Sequence, residues 1–386
     1  MVRMPQFAAA IALGLIATLP LRADEKKADP PKKDDRPNVE VVFCLDTTGS
    51  MGGLINAAKQ KIWTISNQIA SGKPTPRVKV GLVAYRDRTD AYVTKVTDLT
   101  EDLDGIYTTL MEFKAQGGGD FPESVNQALH ESVTKISWSK DSKTLRMIFL
   151  VGDAPPHMDY ADDVKYPETC KLAVEKSIII NTIQCGNHPE TKKHWETICK
   201  SAEGSYVQID QGGGPVVAIA TPFDADLAKI NSEISAKTLV YGDRNAQAAG
   251  EQKKAANGAL APAAAAERAA FLGRDGAAAT YDLLRNLDEG KVKLDQLAKD
   301  ELPPELQKLN SEEQKQYLTN LRRQREDLCQ KAADLNRKRA EFIQQKEKET
   351  ANTRTRDGFD NQVLRILQTQ AGRNNIRYEG AIEEKK

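Results

Sequence analysis

The stretch Val41-Val42-Phe43-Cys44-Leu45-Asp46-Thr47-Thr48-Gly49-Ser50 decides the fold of this chain. Five apolar residues end on an aspartate and a set of hydroxyls, just before a helix-like pattern. An apolar run of this length suits a strand buried in a parallel sheet, although periodicity by itself does not exclude a buried helix. In an open parallel α/β sheet, ligands bind beyond the carboxyl ends of the strands, where loops turn into helices. Asp46, Thr48 and Ser50 fall there, and all three offer hard oxygen atoms. Oxygen-only ligation suits Mg²⁺, Mn²⁺ or Ca²⁺ rather than a soft metal. The competing reading is a polar turn that caps the next helix, because Ser and Thr readily accept hydrogen bonds from a helix's first free N–H groups.

Outward from this stretch, residues 38–239 alternate between short β-rich runs and helical patterns. Strands are expected at 40–45, 78–86, 92–97, 145–151, 178–184 and 205–209. Helices are expected at 53–70, 103–114, 123–136, 168–176, 191–202 and 224–235. Such alternation predicts a Rossmann-like, doubly wound α/β fold with a mostly parallel six-stranded sheet covered on both faces. Only Asp87-Arg88-Thr89-Asp90-Ala91 separates the second and third strands. A parallel crossover needs about a dozen residues, so the third strand is expected to be an antiparallel edge strand.

Two further loops on the same side of the sheet carry acids. Gln116-Gly117-Gly118-Gly119-Asp120-Phe121-Pro122-Glu123 opens the third helix, and its glycines permit φ > 0 or close approach to a ligand. The fourth strand ends in Val151-Gly152-Asp153-Ala154-Pro155-Pro156-His157, which puts Asp153 at the same sheet edge as Asp46. His157 reads as a plain loop histidine, since no neighbour in sequence has metal-ligand spacing.

These residues together resemble a von Willebrand factor type A domain with a metal-ion-dependent adhesion site. That family places Asp-x-Ser/Thr-x-Ser after its first strand, matched by Asp46, Thr48 and Ser50, and an aspartate after its fourth, matched by Asp153. The Gly-Gly-Gly-Asp-x-Pro-Glu stretch also resembles A domains of hemicentins and of some α-kinase-associated proteins. The resemblance implies a site holding Mg²⁺ (or Mn²⁺/Ca²⁺) on Asp46, Thr48, Ser50, Asp120 and Asp153, with Asp46 and Asp153 bound directly or through water. It also implies a protein partner whose Asp or Glu carboxylate completes the coordination. Many members offer a threonine where Asp120 stands here. A third aspartate neutralises more of the cation's charge, unless it acts through water.

Composition sets the remaining expectations. Lysine plus arginine, 55, equals aspartate plus glutamate, 55, so no net field argues for nucleic acid. A basic start, an apolar run over 7–20 and a small residue after it read as a secretory signal peptide over 1–23. The alternative is an uncleaved anchor, which would be the only membrane attachment. The expected residence is secreted or periplasmic. A charged tether follows at 24–37, then the main domain at 38–240, an Ala/Gly-rich linker with room for some helix at 241–280, and a helical tail at 281–386 for which a coiled coil is one outcome. In the tail Leu321, Leu328, Leu335 and Phe342 recur every seven residues, but the neighbouring rows are polar or half polar. That pattern suits a helical hairpin or weak coiled coil, with self-association through the tail as one outcome. Among the five cysteines, Cys185 and Cys199 flank one strand-to-helix connection and are candidates for a bridge.

The expected function is therefore that of an exported, non-enzymatic binding protein. Two rivals belong to other classes. One is a scaffold that binds through its helical tail. The other is a Mg-dependent aspartyl-phosphate phosphohydrolase of the haloacid dehalogenase type, with Asp46 as nucleophile. Against the latter, no acid falls three or four residues after Gly152-Asp153.

Overall fold

The computed structural model describes residues 36–213, 219–275, 280–350 and 358–378, all within one compact unit. The leader expected over 1–23 and most of the tether lie outside them.

Strand β1 (Asn38–Asp46) is buried along almost its whole length. Val41, Phe43 and Leu45 face one core, while Val42 and Cys44 face another, which is why the run is apolar without alternation. The sheet is completed by β2 (Arg77–Tyr85), β3 (Thr94–Thr100), β4 (Leu145–Gly152), β5 (Ile178–Cys185) and β6 (Tyr206–Ile209), in the order β3-β2-β1-β4-β5-β6. All neighbours are parallel except β2 and β3, the antiparallel edge pair expected from their short connection. Register places Asp46 opposite Tyr85 and Leu45 opposite Val151. The chain leaves β1 toward β2 on one side and is flanked by β4 on the other. The loops after β1 and β4 thus open at the switch point where α/β sheets bind ligands.

Helices α3 (Val125–Thr134), α4 (Tyr166–Glu175) and α5 (Pro189–Ser201) cover one face. On the other, α1 (Gly52–Ala70) lays Leu54, Ile55, Ala58, Ile62, Ile65 and Ile69 on the sheet at helical spacing. Helices α2 (Leu103–Glu112) and α6 (Asp224–Ala236) share that core.

Three expectations are corrected. The segment 241–280 forms α7 (Arg244–Gly258) and α8 (Pro262–Asp275), and it is not a linker because α8 packs on α1 and α6. Ala265, Ala266, Ala269 and Ala270 are buried, so the alanine richness permits close helix approach. The segment 281–386 is not a separate tail either. After the short α9 (Leu283–Asp288), α10 (Ser311–Thr350) lies on α8 and α6. A Cβ on Gly273 would meet the backbone of α10 at 2.9–3.0 Å. The leucine row is covered within the chain: Leu321 and Leu328 are buried, and Phe342 meets Phe223 edge-on. The arginines that spoil the zipper pattern are buried ion-pair partners, Arg325 with Asp282 at 2.6 Å and Arg339 with Asp224 and Glu267 at 2.7 Å. Finally α11 (Phe359–Ala371) returns to the sheet core, with the ring of Phe359 6.1 Å from that of Phe43.

The third correction concerns the cysteines, which are all free thiols. Cys185 belongs to the α1 side of the sheet, whereas α5, which carries Cys199, packs its Trp195 and Ile198 into the opposite side. With the sheet between them, a bridge is excluded. No helix among the described residues is long and apolar enough to cross a membrane.

Candidate metal centre

The loop after β1 is tied to the end of β2: the backbone N–H and the hydroxyl of Thr47 both donate to the Tyr85 carbonyl, at 2.9 and 2.8 Å. That anchor turns Thr48 back over β1. Its N–H and its hydroxyl both donate to Asp46 Oδ1, at 2.8 and 2.6 Å, and Ser50 Oγ lies 3.4 Å from Thr48 Oγ1. Thr48 precedes a 3₁₀ turn (Gly49–Met51) yet makes no side-chain cap bond. The hydroxyl serves the aspartate rather than the helix, which disposes of the capping alternative for Thr48.

The glycine loop closes over this turn. Gly117 and Gly118 have φ of +81° and +83°, a region costly for other residues, and the Gly117 carbonyl accepts from Gly49 N–H at 3.1 Å. A Cβ on Gly118 would stand 3.3 Å from Thr48 Cβ and 3.4 Å from Glu123 Oε1. Glu123 therefore reaches the neighbourhood of Thr48 from the loop before α3. From β4, Gly152 passes so close to the first loop that a Cβ there would be 3.2 Å from Asp46 Oδ2. Asp153 follows, half-buried, with Oδ2 accepting from Gln211 Nε2 at 2.5 Å.

Two carboxylate oxygens in this cluster are stranded. Asp46 Oδ2 and Glu123 Oε2 are buried and have no hydrogen-bond partner. Burial, then the nearby Asp153, pushes the Asp46 carboxyl up to about 7. Burial, then Asp46, Asp87, Asp90 and Asp153, pushes Glu123 up to about 9. The nearest arginines point elsewhere: Arg88 pairs with Asp162 and Asp163, and Arg86 donates to the Thr47 and Lys114 carbonyls. Uncompensated buried acids with neutral hydroxyls beside them fit a small hard cation.

Residues 40–221 match the family model of the von Willebrand factor A domain. This segment is a von Willebrand factor A domain. Over 123 residues the chain is 37% identical to von Willebrand factor A domain-containing protein 7 of Rattus norvegicus, covering 32% of this chain and 13% of that protein. An ariadne-like RING finger protein of Acanthamoeba polyphaga mimivirus is 21% identical over 228 residues, 54% of this chain and 22% of that one. The chain thus spans less than a quarter of either relative. Among solved structures, the conserved hypothetical protein BatB from Bacteroides thetaiotaomicron aligns over 57% of this chain and 98% of its own, with 16% identity and a TM-score of 0.36. A domains are typically non-enzymatic, metal-dependent protein-interaction modules.

Within the A domain, the structure gathers four of the five residues singled out in the sequence: Asp46, Thr48 and Ser50 in one loop, and Asp153 across from them. Asp120 has a different neighbour. Its exposed carboxylate lies 3.6 Å from His157 Nε2, and Asp87 Oδ1 lies at the same distance from that nitrogen. The second-loop acid buried near Thr48 is Glu123 instead. Glu123 is not at the helix start expected from its sequence: α3 begins only at Val125, and the Glu123 N–H is bound to the Pro155 carbonyl at 2.9 Å. The only sequence signal for it was its place in the same glycine-led stretch. The carboxylates that face His157 Nε2, Asp87 and Asp120, come from other loops, so spacing along the chain gives no sign of them.

Proposed function

We propose that this A domain is a cation-dependent protein-binding module. Asp46, Thr48 and Ser50, with Asp153 and the neighbouring Glu123 carboxyl, hold Mg²⁺ (or Mn²⁺/Ca²⁺), and a partner's Asp or Glu carboxylate completes the coordination. The observation that carries this reading is the pair of buried, partnerless oxygens, Asp46 Oδ2 and Glu123 Oε2; the nearby Arg86 guanidinium is spent on the carbonyls of Thr47 and Lys114. A bound divalent cation would supply the missing positive charge and a coordination position for the partner. The neutral hydroxyls of Thr48 and Ser50 leave that cation receptive to an external anion. Exposed apolar side chains on the neighbouring loops, Phe121, whose ring is tilted against that of His188 with centroids 4.2 Å apart, and Met158, offer contact area for the partner beside the cation.

The test is calorimetric titration of the metal-stripped full-length chain with Mg²⁺, Mn²⁺ and Ca²⁺, alongside Asp46→Asn. One saturable site that disappears in the folded variant is the expected result. An unchanged site in the variant would sink the assignment, and partner binding that survives a chelator would move recognition elsewhere. Export is part of the proposal and rests on the apolar N-terminal run over 7–20. It predicts a mature protein that begins near residue 24, which N-terminal sequencing of the native protein would reveal or refute.

A further inference from the structure

A second cluster of metal-ligating groups assembles from three loops: Asp87 after β2, Asp120 before α3 and His157 after β4. One ligand atom from each lies within 4.8 Å of the others. Acidic clusters are common on protein surfaces, but this one contains a buried nitrogen with nothing to bind. The His157 side chain is 5% exposed, and its Nε2 has no hydrogen-bond partner. Nδ1 sits 2.9 Å from Asp159 Oδ1, so the proton belongs on Nδ1 and the lone pair on Nε2. That lone pair faces Asp87 Oδ1 and Asp120 Oδ2, each 3.6 Å away.

Three electron-rich atoms directed at one another repel unless a proton or a metal cation lies between them. The distance carries further information. A hydrogen bond would draw nitrogen and oxygen to about 2.7–3.2 Å. Ligands held about 2.0–2.2 Å from a tetrahedral metal stand roughly 3.3–3.6 Å from one another. The 3.6 Å separations therefore match a metal's coordination edge better than a hydrogen bond.

The surroundings hold this geometry. Ser124 Oγ and Tyr160 OH donate to the two oxygens of Asp87 at 2.8 and 2.7 Å. The Tyr160 ring stacks on His157 at 3.9 Å and 9°, with Arg88 4.0 Å from the centroid of the same ring. Asn126 Nδ2 donates to the His157 carbonyl at 2.7 Å. A histidine with one nitrogen on a carboxylate and the other free is the arrangement by which proteins orient imidazole toward a metal. The fourth direction is open, because the Asp120 side chain is 62% exposed.

We propose that Asp87, Asp120 and His157 form a second divalent-cation site, distinct from the Asp46 cluster and selective for a nitrogen-seeking metal such as Zn²⁺ over Mg²⁺. One imidazole and two carboxylates suit zinc and its transition-metal neighbours, whereas Mg²⁺ prefers oxygen and water. Three protein ligands leave one position for water or a partner's side chain.

The experiment is titration of the metal-stripped full-length chain with Zn²⁺ under saturating Mg²⁺, with Co²⁺ as an optical probe. Variants are Asp120→Ala, His157→Gln and Asp46→Asn. Asp120 is exposed, so its variant folds even if His157→Gln does not. Expected is one Zn²⁺ site, weakened at least about tenfold by Asp120→Ala and by His157→Gln and retained in Asp46→Asn. The cobalt visible band should vanish with His157→Gln. The proposal is overturned if folded wild type binds no Zn²⁺, if Asp120→Ala binds it unchanged, or if only Asp46→Asn removes it.

Discussion

Gly117 is the residue at which the backbone leaves least freedom. Its φ is +81°, and a Cβ would fall 2.0 Å from Asp90 Oδ1. Both oxygens of Asp90 accept from the Gly118 N–H, at 3.2 and 3.1 Å, so displacing that carboxylate loosens the loop that covers Thr48. Gly117→Ala is expected to lower stability by about 1–3 kcal/mol through strain. It should weaken Mg²⁺ binding as well, and denaturant melts paired with titration would detect both. Unchanged metal affinity in this variant would mean that the loop does not shape the site. At this scale much was legible in advance: Asp46, Thr48, Ser50 and Asp153 are local in sequence or end a strand, and their positions follow from the strand pattern. Glu123 and His157 were not, because burial and missing hydrogen-bond partners arise from contacts between loops far apart in the chain.

Among the elements, α8 and α10 are held by buried charge. Arg268 is nearly inaccessible and forms a two-pronged contact with Asp104 on α2, at 2.8 and 2.9 Å, while its third nitrogen donates to Asn231 on α6 at 2.8 Å. Truncating one partner strands the other, a loss of about 3–5 kcal/mol for a buried pair. Arg268→Ala should therefore lower the unfolding midpoint sharply. Arg268→Met with Asp104→Asn should recover part of it, and a double variant no better than the single one would contradict pairing as the cause. Helix α10 carries a pH-dependent contact. Burial acts against ionised Asp224, but hydrogen bonds from Arg339 and Thr221 outweigh it and hold the carboxyl below its ordinary value of 3.8. A depressed folded value means that this contact contributes fully above about pH 4 and is lost as pH falls through the lower value. Hydrogen exchange in α10 should accelerate below that point, and Arg339→Met should flatten the acid dependence. An acid response identical in wild type and variant would assign it to other groups.

For the molecule as a whole, the C-terminal helices are part of the A-domain core and cannot be removed without consequence. Phe359, Val363, Ile366, Leu367, Ile376 and Tyr378 are all buried there. Asn181 on β5 and Gln370 on α11 exchange hydrogen bonds at 3.1 and 2.7 Å, and Tyr378 OH donates to the Ile69 carbonyl at 2.9 Å. At roughly 1.5–3 kcal/mol per buried apolar side chain, losing this helix rivals the ~5–15 kcal/mol that holds a typical domain together. A fragment ending at residue 240 is expected to lack a cooperative melt and to bind a hydrophobic dye. Wild-type stability in that fragment would show that the added helices are accessory. The sequence by itself determined the strand order's raw material, the antiparallel β2–β3 pair and the acid-bearing loop after β1, because these depend on local pattern and connection length. Only the tertiary structure decided that the alanine-rich segment and the charged helix are layers of the same unit, that Cys185 and Cys199 lie on opposite sides of the sheet, and that Asp120 meets His157 rather than Thr48. Those outcomes rest on which distant surfaces come into contact, and neither periodicity nor composition along the chain encodes a contact across it.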